Sequence, residues 1–211
     1  MGRKRRFSST VGELRTSKVL TEDTERIVVE RARNGDTVAA RQLYDCYSRY
    51  LAATCARFLP DQVDQSDVLQ DSFVKIFTSL DKFEYRGEGS LKAWMRQISV
   101  NEALKVLRKR RQSVLVRLEQ DVPDDDDSEV QDVDEDVGEV SGQELQSLIK
   151  QLPEGYRTVL NLYAFEGRSH REIGQMLGIS ESTSASQLHR ARTSLAEKIK
   201  EIKKRKIKNN G

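Results

Sequence analysis

The sequence between residues 169 and 195 has the residue types and spacing of a helix-turn-helix, a motif that reads double-stranded DNA. Ser169 begins the pattern of a helix-capping box, Gly178 suits the turn, and Ser180 is a candidate N-cap for the second helix. Gly174 is small enough to let the two helices cross closely. The second helix would present short polar groups and arginine, which suit base edges and phosphates in a major groove. A purely structural helical hairpin remains the alternative.

A second stretch combines aromatic rings with cations, a pairing that suits melted DNA. The loop at residues 83–90 is rich in Gly and charge and carries Tyr85 and Arg86. A helix predicted at residues 91–111 follows, and its exposed side is basic. The cations expected on that side are Lys92, Arg96, Lys105, Arg108, Lys109, Arg110 and Arg111. Unstacked bases need aromatic platforms and pockets, and their phosphates need cations. A basic amphipathic helix is also typical of an ordinary solvated surface.

The carboxylates and the soft ligands do not form a catalytic or metal-binding pattern. Cys46 and Cys55 are too few for a disulfide framework and lack metal-ligand spacing with His170 and His189. A nuclease would need carboxylates with such companions, whereas the densest acidic run lies at residues 124–127, in a segment that we expect to be extended. The sequence therefore predicts a binding protein rather than an enzyme, with no metal, cofactor or small-molecule substrate.

Charge is strongly segregated along the 211 residues. Residues 1–117 carry 23 Lys and Arg against 15 Asp and Glu, residues 118–150 carry 1 against 13, and residues 151–211 carry 12 against 6. Two basic ends around an acidic middle favour a polyanionic partner that is gripped at two places. No run of 18 apolar residues occurs, and the basic start is followed by polar residues, so we expect a cytoplasmic protein with no membrane partner.

The periodicity of apolar residues predicts an all-α protein of two small domains. Only 3 Pro and 12 Gly are present, which favours helices over sheets. Helices are predicted at residues 24–33, from the N-cap Asp36 to Leu59, at 66–80, at 91–111, and from Glu144 onward with a break at Pro153 and an end at Gly167. Trp94 is expected in the core because its helical phase matches that of Ile98.

Composition divides the chain into five segments. We expect a flexible basic arm at 1–20, a first helical domain at 21–117, an acidic flexible linker at 118–142, a helix-turn-helix domain at 143–203 and a basic tail at 204–211. Repulsion between the acidic side chains, with no Lys or Arg between residues 119 and 142, should keep the linker extended.

Two parts of the chain resemble the extracytoplasmic-function sigma factors of the sigma-70 family. Residues 35–111 are similar to the family's conserved region 2, through DQSDVLQDSF at 64–73, LKAWM at 91–95 and Val100-Asn101. Conserved region 4 is resembled by LPEGYR at 152–157, EIGQMLGIS at 172–180 and LHRAR at 188–192. The motifs occur in family order with a linker between them, which makes chance similarity improbable.

The resemblance implies a sigma factor that binds core RNA polymerase, directs it to promoter DNA and melts the DNA for transcription initiation. An acidic helix would dock on a coiled coil of the largest polymerase subunit through Asp64, Asp67, Gln70, Asp71 and Lys75. The loop and the basic helix would capture a flipped base of the minus-ten element and hold phosphates through Phe83, Tyr85, Arg86, Ser90, Asn101, Lys105 and Arg108.

The same resemblance implies that the second helix of the helix-turn-helix reads the minus-thirty-five element, with the polymerase flap as a further contact of this domain. The residues in question are Ser182, Thr183, Ser186, Gln187, His189 and Arg190. The chain departs from the family where Ala185 and Gln187 replace the frequent Lys or Arg, which predicts fewer phosphate contacts and weaker upstream binding. An anti-sigma factor or another recruiting protein is a further partner that the family suggests.

A helix-turn-helix regulator that acts without being a polymerase subunit is the alternative function. Such a regulator would account for residues 143–211. It would leave the acidic helix and the aromatic-basic loop of residues 24–111 without a role.

Overall fold

The computed structural model describes residues 21–115 and 140–209, and this part of the chain is helical without strands. Eight helices follow one another as α1 Glu22–Arg33, α2 Thr37–Phe58, α3 Gln62–Thr78, α4 Ser90–Leu115, α5 Gly142–Lys150, α6 Glu154–Ala164, α7 His170–Leu177 and α8 Glu181–Asn209. A 3-10 turn at Leu80–Lys82 lies between α3 and α4. The predicted all-α class is confirmed. The predicted arm at 1–20 and residues 118–139 of the predicted linker lie outside the described residues.

Side-chain caps set where the first helices begin. The Asp36 carboxylate accepts hydrogen bonds from the backbone N–H groups of Val38 and Ala39, at 2.9 and 3.1 Å, which confirms it as the N-cap of α2. The bond from Ala39 is the main cause of a lowered pKa of Asp36. Asp61 caps α3 in the same way, at 2.9 and 3.1 Å, so the prediction that this helix begins at Ser66 is wrong by four residues.

The first four helices pack around one apolar cluster with α2 at its centre. Its buried members are Val28, Val29, Ala39, Leu43, Leu51, Phe73, Ile76, Leu80, Phe83, Leu91 and Met95. Trp94 and Ile98 pack against this cluster and are partly buried, as their shared helical phase predicts. The cluster holds α3, the loop after it and α4 in fixed relation, and these elements carry most of the predicted site residues.

A second cluster joins the two halves of the chain. The end of α2, the start of α3 and the middle of α4 supply Cys55, Phe58, Leu59, Val68, Val100, Ala103, Leu104 and Leu107. Helices α5 to α8 supply Leu148, Ile149, Leu152, Val159, Leu160, Leu162, Ile173, Leu188, Ala191, Leu195 and Ile199. Burying this much apolar surface away from water favours the packed arrangement. The helix-turn-helix region therefore rests on the four helices that precede it.

Helix α8 is longer than predicted. The sequence indicated a domain end at residue 203 and a basic tail after it, whereas the helix continues to Asn209. Lys206, in this last part, forms a 3.0 Å ion pair with Glu144 of α5. The residues past 203 thus extend the recognition helix and brace it against α5.

Candidate nucleic-acid interface

The turn between α7 and α8 is fixed by its glycines and its cap. Ser169 and Glu172 form the predicted capping box, and the backbone N–H of Ser169 is the main reason that the pKa of Glu172 is lowered. Gly178 ends α7 with φ of 70°, in the left-handed region that favours glycine. A Cβ at Gly174 would lie 2.8 Å from the carbonyl oxygen of Ile179, which confirms the predicted close crossing.

A buried polar contact holds the recognition helix from behind. Ser184 is fully buried, and its hydroxyl lies 3.0 Å from Nδ1 of His170. The His170 ring stacks on Tyr163, with 4.9 Å between ring centroids. This trio is not among the contacts predicted from the sequence. Two features of the sequence point to the contact. Ser184 stands at a position that such motifs usually fill with an apolar residue, and a histidine, His170, begins the preceding helix.

The outward side of α8 presents the predicted upstream-reading residues to different extents. Ser182 and Ser186 are exposed, while Thr183, Gln187, His189 and Arg190 are half-buried. Ser180 is confirmed as the N-cap, because its hydroxyl accepts from the backbone N–H of Thr183 at 2.9 Å. The helix N-terminus therefore combines exposed hydroxyls with the positive end of the helix dipole, a surface that suits phosphates and base edges.

The predicted base-capturing loop borders a cavity of about 500 Å³. Its walls come from Lys82, Phe83, Glu84, Arg86, Ser90, Ala93 and Trp94. Gly87 and Gly89 have φ of 108° and 77°, which lets the loop fold back. The Ser90 hydroxyl then donates to the Gly87 carbonyl at 2.7 Å and accepts from the Arg86 N–H at 3.2 Å. A concave site that combines rings with two cations suits an unstacked base and its phosphate.

The aromatic residues of this loop are less exposed than a stacking platform would be. Phe83 is a core residue, with 5% of its surface exposed. Its ring centroid lies 5.2 Å from that of Trp94 and 6.1 Å from that of Tyr85, the latter edge-on. Tyr85 is half-buried. The prediction that Phe83 contacts DNA stays a prediction, and the structure places its ring in the cavity wall, packed into the core.

The remaining downstream residues lie on one exposed side of α4. Asn101, Lys105 and Arg108 follow at helical spacing and are all exposed. The Asn101 side-chain oxygen accepts from Gln97 at 3.1 Å, and Lys105 pairs with Glu102 at 2.7 Å. Arg96 departs from the expected exposed position, because it is half-buried in an ion pair with Glu166 at 3.1 Å.

Most of the residues predicted to bind polymerase are exposed on helix α3. Asp67, Gln70, Asp71 and Lys75 face solvent. Asp64 differs, because it is half-buried and forms an ion pair with Arg110 of α4. Val74 lies among these polar groups and is 58% exposed, an apolar contact point that the packed core does not use. Val63, near the start of α3, is 68% exposed as well, so the surface mixes charge with two exposed aliphatic side chains, as interfaces between proteins commonly do.

No cluster of three or more His, Cys, Asp or Glu that could hold a metal occurs among residues 21–115 and 140–209. Both cysteines are free, and burial raises the pKa of Cys46 and takes that of Cys55 to about 11, which keeps both thiols protonated and unreactive. In these same ranges no helix has the length and apolar content needed to cross a membrane.

Two protein-family models match parts of this chain. The family model described as Sigma-70 region 2 matches residues 43–113, and the one described as Sigma-70, region 4 matches residues 142–195. Among solved structures, CnrH in complex with the cytosolic domain of CnrY is 25% identical, with a TM-score of 0.44 and coverage of 83% of this chain and 97% of that chain.

Two curated relatives extend the similarity over most of the chain. The RNA polymerase sigma-H factor of Pseudomonas aeruginosa is 28% identical over 196 residues, covering 87% of this chain and 98% of the relative. The ECF RNA polymerase sigma-E factor of Haemophilus influenzae is 31% identical over 186 residues, covering 85% of this chain and 97% of the relative. The chain therefore belongs to the extracytoplasmic-function sigma factors of the sigma-70 family, non-catalytic proteins that bind core RNA polymerase and promoter DNA and direct transcription initiation.

Proposed function

We propose that this sigma factor divides promoter recognition between two domains, residues 21–117 and residues 143–203, joined by a linker at 118–142. The first domain would bind the core polymerase and open the minus-ten element, and the second would read the minus-thirty-five element. A helix-turn-helix regulator that acts apart from polymerase is disfavoured, because the match to residues 43–113 gives helices α2 to α4 a sigma-factor role.

One observation carries the downstream assignment. The cavity beside residues 83–90 opens near the first turns of α4, and the same helix presents Asn101, Lys105 and Arg108 on one exposed side. A flipped base in the cavity would leave the neighbouring nucleotides along this row, where an amide can read a base and two cations can hold phosphates. Arg86 and Ser90 line the loop side of the same site, and Tyr85 packs behind it against Phe83.

The polymerase assignment rests on the exposed side of α3. Asp67, Gln70, Asp71 and Lys75 are exposed, and the exposed apolar side chains Val63 and Val74 lie on the same helix, so a partner with a complementary charge pattern could contact both kinds of group. Asp64 would contribute less, because Arg110 already pairs with it. We propose the coiled coil of the largest subunit as the partner of this side and the flap as the partner of the second domain.

The upstream assignment rests on the N-terminal turns of α8. Ser182 and Ser186 are the exposed members, and Thr183, Gln187, His189 and Arg190 supply partly accessible donors and acceptors beside them. An anti-sigma factor or another recruiting protein is proposed as a regulator of these surfaces. Because polymerase and promoter DNA are the partners, we also propose that the protein works in the cytoplasm.

Reconstitution with core polymerase tests the downstream assignment directly. Asn101→Ala should cut transcript from a duplex promoter by roughly 10- to 100-fold, since a lost base contact is worth about 1–3 kcal/mol. Gln146→Ala is the matched control, because it removes an exposed amide from α5 instead. Both variants should comigrate with core polymerase. Equal transcript from the two variants would remove Asn101 from the site.

A further inference from the structure

Helix α1 precedes the residues matched by the region 2 family model, yet it holds the base-capturing loop at its entrance. The Arg33 guanidinium donates from Nη2 to the carbonyl oxygen of Phe83 at 2.7 Å. Its Nη2 and Nε also donate to the Leu80 carbonyl, at 3.2 and 3.3 Å. These two carbonyls bracket the 3-10 turn, so a single side chain fixes where the chain enters the cavity wall. Glu30 orients the guanidinium from behind, at 2.9 Å from Nη1.

The same helix contacts the loop a second time. The Arg26 guanidinium lies 5.1 Å from the ring centroid of Tyr85, within cation-π range. The neighbouring Glu25 is buried and accepts a hydrogen bond from the Tyr47 hydroxyl. Burial and the Glu25 carboxylate raise the pKa of Tyr85, which keeps its phenol protonated. Tyr85 in turn packs edge-on against Phe83, so α1 supports the cavity wall at two places, through Arg33 and through Arg26.

We propose that Arg33 and Arg26 are positioning residues for promoter-base discrimination. They would act through the loop without touching DNA: Arg33 holds the carbonyls of Leu80 and Phe83, and Arg26 holds the ring of Tyr85. This inference rests on the proposed function, since it takes the cavity as the pocket of an unstacked base. A pocket selects between bases only if its walls keep their shape when the wrong base enters. Loosening the wall therefore lowers selectivity more than affinity.

The holoenzyme and single-stranded oligonucleotides provide the test. Four oligonucleotides carry the non-template minus-ten sequence with each base in turn at the captured position. For Arg33→Ala we expect the ratio between the best and the worst base to fall about tenfold, the factor that one hydrogen bond from a charged donor is worth. Arg33→Lys should restore part of the ratio, because an ammonium reaches one carbonyl. Arg31→Ala is the matched control, since its guanidinium pairs with Asp36 on the surface.

The outcomes distinguish failure of the proposed base pocket from failure of the positioning role of Arg33. If the parent holoenzyme does not discriminate between the four bases, the proposed pocket itself is wrong. If the parent discriminates and Arg33→Ala discriminates equally well, the pocket stands and the positioning role is overturned. Should Arg33→Ala fail to fold by circular dichroism, Arg26→Ala decides with the same readout, because it removes only the contact on the Tyr85 ring.

A different set of contacts carries a second inference, about how the two halves are held together. Glu166 follows α6, and its side chain is only 3% exposed. Its two carboxylate oxygens are held by Arg57 of α2 and Arg96 of α4, each at 3.1 Å. A buried carboxylate is tolerated only when cations and donors compensate its lost hydration, and here both cations come from the other half of the chain.

The second half also caps α2. The last carbonyls of a helix lack partners within the helix. Asn161 donates from Nδ2 to the Arg57 carbonyl at 2.7 Å, and Arg157 donates from Nε to the Phe58 carbonyl at 3.2 Å. Both donors are buried residues of α6, one turn apart. The interface is therefore specified by directed polar contacts as well as by the shared apolar cluster.

This docked arrangement reaches the predicted downstream row. Arg168, in the loop before α7, donates to the side chain of Gln97 on α4, and Gln97 donates to Asn101. The two promoter elements lie about 25 base pairs apart, or roughly 85 Å along the duplex. A folded chain of this length has a radius of gyration of about 17 Å and a diameter of roughly 45 Å. One docked molecule cannot contact both elements.

We infer that the docked form is a closed state, pinned by Glu166 between Arg57 and Arg96, and that it must open before both promoter elements are engaged. Replacing Glu166 by Ala leaves the half-buried guanidinium groups of Arg57 and Arg96 without the carboxylate that they share, so the closed state loses these two ion pairs. The inference does not depend on which base the cavity takes, only on the two halves contacting separate parts of the promoter.

Small-angle scattering of the full chain without polymerase measures the opening. Glu166→Ala should raise the radius of gyration and increase the affinity of the free protein for a minus-ten single strand about tenfold. Glu197→Ala, an exposed acid on α8, should change neither. An unchanged radius of gyration would overturn the closed state. A larger radius with no gain in oligonucleotide affinity would overturn the claim that docking restricts the downstream row. If Glu166→Ala does not fold by circular dichroism, Asn161→Ala is measured in its place.

Discussion

His170 and Ser184 join the two helices of the helix-turn-helix through a hydrogen bond of 3.0 Å at a position where Ser184 has no exposed surface. Ser184→Ala should lower the free energy of unfolding by about 1–2 kcal/mol, because the imidazole nitrogen loses its partner in a partly buried place. Urea denaturation measures this, with Ser186→Ala on the exposed side of α8 as control. A double-mutant cycle with His170→Ala should show coupling. Additive effects would mean that the contact contributes nothing.

Gly174 tests the close crossing of α7 over the turn. Gly174→Ala should cost about 1–3 kcal/mol of stability, because its Cβ would lie 2.8 Å from the Ile179 carbonyl oxygen and the turn must shift. Gly142→Ala is the matched control, since a Cβ there meets nothing within 4 Å. Thermal denaturation of both variants decides the matter. A destabilisation equal to that of the control would contradict the packing described for this turn.

The helix starts and the helix-turn-helix were accessible from the sequence because they depend on local chemistry. Asp36, Ser169 and Ser180 act through backbone groups two or three residues away, and such caps are legible in a single chain. The predicted start of α3 is four residues late, because the cap Asp61 directly follows Pro60, where the helical pattern of α2 ends. The sequence therefore predicts the local secondary structure well, and the errors fall at helix boundaries.

The docking of the two halves was not accessible in this way. Its polar contacts join Arg57 and Phe58 to residues about a hundred positions later, and no local pattern marks which cation will meet Glu166. Arg96 was expected on the exposed side for the same reason. Phe83 was assigned to DNA by residue type, whereas the structure buries it, since only the fold shows which rings face the core.

The exposed acids of α3 give a charge-reversal test of polymerase binding. Asp67→Lys combined with Asp71→Lys should abolish comigration with core polymerase, because two attractive contacts become repulsive. Helical content should be unchanged, since both side chains face solvent. The control reverses Glu197 on α8. Retained comigration of the double variant would move the polymerase-binding surface elsewhere.

The ionised Glu144 carboxylate should contribute to stability, and this contribution should be lost in acid. The pKa of Glu144 is lowered to about 2 by the backbone N–H of Ser141, then by Lys206 and the Ser141 hydroxyl. The lowered pKa means that folding favours the ionised form, so the stabilisation is present above the ordinary value of about 4.5 and falls as the pH drops towards 2. Glu144→Gln should flatten the fall in melting temperature between pH 5 and 2. A parallel course of the two curves would contradict this.

We expect the minus-ten element to contribute more to recognition than the minus-thirty-five element, because of the charge and exposure of the residues that would contact each. Of the residues predicted to read the upstream element, Ser182 and Ser186 are the fully exposed ones on α8, and Arg192 is an exposed cation further along. Ala185 and Gln187 stand where further cations would add phosphate contacts, so upstream binding should be modest and weakly salt-dependent. On α4, Asn101 would act on bases that are already unstacked, where no second contact replaces it.

Transcription is measured from matched templates with an intact or a scrambled minus-thirty-five element. Scrambling should reduce the parent only several-fold and Arg190→Ala should matter only on the intact template, whereas Asn101→Ala should be severe on both. If scrambling abolished activity while Asn101→Ala left it untouched, recognition would rest on α8 and the proposed division would be reversed.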